Sequence, residues 1–158
     1  MTGKALVGAD LVGADLVGAD LVGAWRERGR EFIAADGSVK ADIPRNSQIM
    51  YSADGFMGVL NTPRQRARVS ESTARMDLDG VDANERAQAA FGVVSYFGRY
   101  EVKGDSVLHT IDAALNPNLA GTTQVRHVTL VGDDLTLSAP PDAKGNYFRI
   151  HWRRASKT

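Results

Sequence analysis

Residues 94–154 read VSYFGRYEVKGDSVLHTIDAALNPNLAGTTQVRHVTLVGDDLTLSAPPDAKGNYFRIHWRR. Apolar and polar residues alternate along this stretch, and turn residues cut it at Lys103-Gly104-Asp105, Gly132-Asp133-Asp134 and Lys144-Gly145-Asn146. Period-two alternation interrupted by tight turns predicts an antiparallel meander. Strands are expected over 94–102, 107–114, 121–131, 135–139 and 147–154, with an irregular connection at 115–118. Three polar residues fall on faces that should be buried: His109, Gln124 and Arg126. Burying such a group bare costs about 1–3 kcal/mol, so each needs a partner, a water or a ligand. The pattern therefore points to a small closed barrel with a partly polar interior.

Upstream, 21–35 reads as a first strand, interrupted near Gly29 and ended by the Asp36-Gly37 turn. Ser47–Ala53 and Phe56–Asn61 flank Asp54-Gly55, a strong hairpin signal. Thr62 to Gly80 is rich in Arg, Ser and Asp and reads as a long surface loop or a flap over the barrel mouth. Its arginines (Arg64, Arg66, Arg68 and Arg75) are followed closely by Glu71, Asp77 and Asp79, which favours a solvated flap over a basic binding strip. Asp82 and Glu85 form a capping box for a helix over 83–92, with Ala87, Ala90 and Phe91 on one side. The sum is an all-β chain: an eight-stranded antiparallel up-and-down barrel with one short helix. Such a barrel holds side chains or one small ligand.

Residues 6–25 are a repeat, three copies of LVGAD and then LVGAW. The five-residue period resembles the pentapeptide units of β-helices, but one coil's worth cannot bury a core. It also clashes with the 3.6-residue helical period, and each copy carries a glycine. The chain divides into a repeat extension at 1–20 and a barrel domain at 21–155. The repeat reads as an extension of the first strand without chemistry; the alternative is an arm covering a sheet edge or a partner in a homodimer.

Lys+Arg and Asp+Glu both total 19 in 158 residues, with a pI of about 6.8. That balance argues against nucleic-acid and membrane-surface partners. The absence of cysteine excludes disulfides, thiolate catalysis and Cys-ligated metals. Asp10, Asp15 and Asp20 interrupt the apolar start, so no signal-peptide core or membrane span is expected, and a cytoplasmic protein is the default. Neither a phosphate-binding glycine loop, a G-x-S-x-G elbow nor a dinucleotide fingerprint is present.

Tyr51-Ser52-Ala53-Asp54-Gly55-x-Met57, Gly98-Arg99-Tyr100-Glu101-Val102, Pro117-Asn118, Gly121-Thr122-x-Gln124-x-Arg126 and Trp152-Arg153-Arg154 together resemble the lipocalin-like domain family of bacteria and fungi. The resemblance covers roughly 21–155. It implies a calycin-type barrel around a small-molecule cavity. Gly23-Ala24-Trp25 is similar to the lipocalin Gly-x-Trp signature, which implies an Arg from the last strand lying over Trp25; Arg154 is the candidate. The charged run Arg26–Glu31 and the LVGAD repeat depart from the family pattern.

Alternation assigns Val107, His109, Ile111 and Ala113 to one face, and Gln124, Arg126, Val128 and Leu130 to the facing set on the next strand. His109 is thus expected near Gln124 or Arg126. Tyr96 and Tyr100 share a phase, as do Ile49 and Tyr51. The expected ligand set is Arg126, Gln124, Tyr51, Tyr96, Asn118 and Met57, with Asn118 at the mouth beside Pro117. The bland alternative is a closed hydrogen-bond network that binds nothing, and for Asn118 simple turn chemistry. If the barrel is catalytic, His109 and Tyr100 are the acid/base candidates, and Glu27 a base if its strand is regular. A bulge at Gly29 would instead turn Phe32 inward and leave the charges in solvent. His127 and His151 fall on outward phases, and no pair of histidines has ligand spacing, so no metal or other cofactor is expected.

Two functions follow. One is a barrel that binds a small hydrophobic or aromatic molecule bearing an anionic or carbonyl group. The other is a cofactor-independent cyclase, isomerase or dehydratase acting on a polyketide-like or terpenoid intermediate of secondary metabolism. A filled structural or regulatory barrel is the third reading.

Overall fold

The computed structural model describes residues 16–42, 45–70 and 76–156. A helical turn, α1 (Gly18–Leu21), leads into β1 (Gly23–Ile33), β2 (Val39–Asp42), β3 (Asn46–Tyr51) and β4 (Phe56–Thr62). After α2 (Ala83–Ala90) come β5 (Val94–Lys103), β6 (Ser106–Ala114), β7 (Thr123–Val131), β8 (Asp134–Ser138) and β9 (Tyr147–Arg154), with a 3-10 turn at Pro117–Leu119. All neighbours pair antiparallel, and β9 returns to pair with β1, which closes the sheet. β2 and β3 lie end to end along one edge of β1, opposite Arg30–Ile33 and Gly23–Arg26. The barrel thus has eight staves, the second broken in two. All eight expected strands form; β2, exposed at all four residues, has no apolar alternation to announce it.

Strand phase runs as the alternation predicts. Val107, His109 and Ile111 of β6 are buried, as are Val128 and Leu130 of β7, while Gln124 and Arg126 are half-buried nearer the other end. One glycine is indispensable to this register. Asp112 bulges out of the β5–β6 ladder, leaving Gly98 opposite Ile111, and a Cβ on Gly98 would collide with the Thr110 carbonyl oxygen.

One end of the barrel is plugged. Trp25 is fully buried and donates its indole N–H to the Leu21 carbonyl at 2.8 Å. The Arg154 guanidinium lies 4.1 Å from the Trp25 ring centre, a cation–π arrangement. It also donates to the carbonyls of Val22 and Asp20 and to the Asp133 carboxylate. Gly23, at φ 128, lets the chain turn beneath that guanidinium, whose nearest nitrogen would meet a Cβ at 3.2 Å.

Three expectations need correction. The third LVGAD copy, 16–20, is not a strand extension: Gly18–Leu21 is a helical turn, Leu16 and Leu21 are buried in the core, and the Asp20 carboxylate accepts from the Val17 amide. The copies within 1–15 lie outside the described residues. In β1 the bulge between Glu27 and Gly29 does occur, and Phe32 packs edge-on against Phe148. The charges are not all left in solvent, however, because Glu27 and Arg30 are both buried and paired. Finally, α2 has the expected Asp82 cap, yet buries none of its residues, and Phe91 is exposed. Glu85 accepts from Ser70 rather than completing a box. The 63–93 segment joins β4 to β5 at the end opposite the plug; its residues Glu71 and Arg75 lie outside the described ones.

Candidate functional site

The unplugged part of the barrel holds an open-mouthed cavity of about 390 Å³. That is at the small end of cavities that hold drug-sized molecules. Much of its wall is apolar, contributed by Ile49, Val59, Val94, Leu137, Phe148 and Ile150. Set into it are Arg30, Asp42, Arg45, Asn61, Tyr96, His109, Arg126 and the ring of Trp152.

His109 is the centre of the polar set. Tyr51 on β3 and Tyr96 on the adjacent β5 set two phenols against it: Tyr51 Oη stands 2.9 Å from Nε2 and Tyr96 Oη 3.1 Å from Nδ1. Loss of hydration, and then the Arg126 charge, push the imidazole down to about 3, so it is neutral at pH 7. Burial likewise raises the Tyr51 phenol well above its ordinary range and raises Tyr96; the charge of Arg126 opposes both shifts. One guanidinium therefore bears on all three groups.

The three arginines of the wall differ in how they are satisfied. Arg30 forks onto Glu27 at 2.8 and 2.7 Å. Burial works against the Glu27 carboxylate, but the Arg30 hydrogen bonds and the Arg45 amide hold its pKa below the ordinary value. Arg45 donates to the Gly92 carbonyl, tying the crossover segment to the barrel. Arg126 donates to the neighbouring Val125 carbonyl and meets no carboxylate within ion-pair distance among the described residues.

The expected site residues thus separate. His109, Tyr96 and Arg126 line the cavity. Tyr51 is fully buried behind His109, and Met57 belongs to the core; neither is on the wall. Tyr100 turns its hydroxyl toward the plugged end, donating to the Ser52 carbonyl at 2.8 Å, and its ring stands edge-on to Tyr51. Gln124 sits opposite His109 but donates to Thr122 Oγ1 at 3.4 Å. Asn118 is exposed in the 3-10 turn, where its amide donates to the Asn116 side chain. The Glu27 carboxylate is taken up by Arg30 and does not line the cavity. His109 does lie near both Gln124, opposite it on β7, and Arg126, whose charge acts on it, but its hydrogen-bond partners are Tyr51 and Tyr96.

The wall residues Arg30, Asp42, Arg45, Asn61 and Trp152 were outside the expected ligand set. Asn61 Oδ1 and Trp152 Nε1 are buried without a hydrogen-bond partner among the described residues. Asn61 follows Met57 and Val59 at two-residue spacing, so strand phase could have found it. Arg45 had no such signal, since it lies between strands. His127 and His151 face outward but are engaged: His127 with Ser106, and His151 with Thr136 and Glu31. Among the described residues, no group of three or more His, Asp or Glu can hold a metal ion, and no helix is long and apolar enough to cross a membrane.

An eight-stave up-and-down barrel, plugged by an Arg over a Trp and hollow beyond, has the architecture of the calycins. The lipocalin-like domain family matches residues 22–155, and the chain belongs to it. Among solved structures it is similar to an uncharacterized protein from Bacteroides eggerthii DSM 20697, at 13% identity and a TM-score of 0.43 over 85% of this chain and 99% of that one. No curated protein matches the chain.

Proposed function

We propose that the barrel binds a small, mainly apolar or aromatic molecule whose anionic or carbonyl group is held by Arg126. The observation that carries this reading is the state of Arg126: a guanidinium on the wall of a largely apolar cavity, with a single backbone acceptor and no carboxylate partner among the described residues. A charge so placed favours an anion, because the apolar surroundings screen the attraction poorly.

The rival reading, a cyclase, isomerase or dehydratase, asks His109 to exchange a proton near neutral pH. An imidazole held at about 3 and engaged at both nitrogens is poorly matched to that task. Binding is the better-supported function.

Titration calorimetry with 1-naphthoate and its neutral counterpart 1-naphthalenemethanol tests the reading. Naphthoate is expected to bind the wild type more tightly, and Arg126→Met to weaken it about tenfold or more, as for loss of a charge-assisted hydrogen bond. The alcohol should change little. Equal losses for both, or none for naphthoate, would refute the role of Arg126.

A further inference from the structure

A neutral imidazole has one N–H and one lone pair, so it donates to one neighbour and accepts from the other. His109 has a tyrosine hydroxyl at each nitrogen. Whichever tyrosine accepts the N–H retains its own proton, which must go elsewhere. Tyr51 is 2% exposed and has no other hydrogen-bond partner among the described residues. Were it the acceptor, its proton would be stranded in the core, which is costly. Tyr96 lines the cavity, so its proton has somewhere to point. The arrangement that strands nothing has Tyr51 donating to Nε2, Nδ1 donating to Tyr96 Oη, and the Tyr96 O–H directed into the cavity.

We propose that Tyr96 is a hydrogen-bond donor to the ligand, acting with Arg126 on one oxygen-bearing group, and that His109 and Tyr51 are positioning residues that aim its proton. This rests on the binding function above and narrows it. The anchored group is an acceptor, a carboxylate or a conjugated carbonyl oxygen, met by a phenol and a guanidinium together. A protonated amine is disfavoured at that position, because the Arg126 charge repels it and the Tyr96 oxygen already accepts from Nδ1. The wall thus selects by hydrogen-bond polarity as well as by charge.

The test reads the imidazole directly. In the full-length protein labelled with ¹⁵N-histidine at pH 7, two-bond ¹⁵N–¹H spectra distinguish the two tautomers, and His109→Gln assigns the signal among the three histidines. The expected ring is protonated at Nδ1 and bare at Nε2. A ring protonated at Nε2, or at both nitrogens, overturns the proposal. In Tyr96→Phe, 1-naphthoate affinity is expected to fall about tenfold. In Tyr51→Phe, which does not touch the cavity, the ring should lose its single tautomer and the affinity should fall less. Undiminished affinity in Tyr96→Phe also overturns the proposal. Failure of the wild type to bind naphthoate is seen before any variant is made and removes the binding function along with it; an Nε2-protonated ring removes the role of Tyr96 alone.

Discussion

His109 makes the protein's stability depend on acid in a definite direction. In the unfolded chain the imidazole titrates near 6.5, and in the fold at about 3. Between those values the unfolded state binds a proton that the native state refuses. Stability is therefore complete above about pH 6.5 and is lost as pH falls, by about 1.4 kcal/mol per unit down to the folded value. Glu27, whose folded pKa lies below 4.5, adds a loss of the same sign at lower pH. Urea unfolding of the wild type from pH 7 to 4.5 should show this slope, and His109→Gln should flatten it; parallel slopes would mean His109 is not buried neutral. Alternation was enough to put His109, Tyr96 and Arg126 inside. It could not say which side chains meet across the lumen, because that depends on register, and the Asp112 bulge alters the β5–β6 register. Tyr51, expected on the wall, stands behind it, and the Tyr100 hydroxyl faces the plug.

Among the elements, the β5–β6 pair and the plug carry the sharpest demands. Gly98→Ala would drive a methyl against the Thr110 carbonyl, with Ile111 and Asp112 backbone atoms also within 3.0 Å. Backbone cannot swing aside as a side chain can, so a loss of at least about 1–3 kcal/mol is expected from overpacking. An unchanged urea midpoint would show that the strands can part there. Leu21 is fully buried beneath Trp25, and Leu21→Ala should cost about 2–5 kcal/mol. A cost within 0.5 kcal/mol, roughly that of a surface change, would mean the plug is dispensable. Strand positions were legible because each is bounded by a turn with its own chemistry. The end of the repeat was not, since LVGAD has the same local sequence wherever it stands; the third LVGAD copy runs into a helical turn because Leu16 and Leu21 find core to enter. Glu27 and Arg30 deceived for a related reason: a charged run reads as solvated unless the bulge that brings two opposite charges together is known.

For the whole molecule, the barrel's two ends do different work. The plug, with Arg154 over Trp25, closes and orders one end, while the wall beyond keeps an apolar hollow with a cation inside. Family membership and closure account for the scaffold, and the proposed occupant follows from the wall. The Arg126 position settles the matter most directly, through a crystal structure of the protein grown with 1-naphthoate. The naphthyl ring should lie among Ile49, Val59, Leu137 and Ile150, with the carboxylate within hydrogen-bond distance of Arg126 and Tyr96. Naphthoate seated only on the outer surface, or a lumen collapsed around Arg126, would contradict the account.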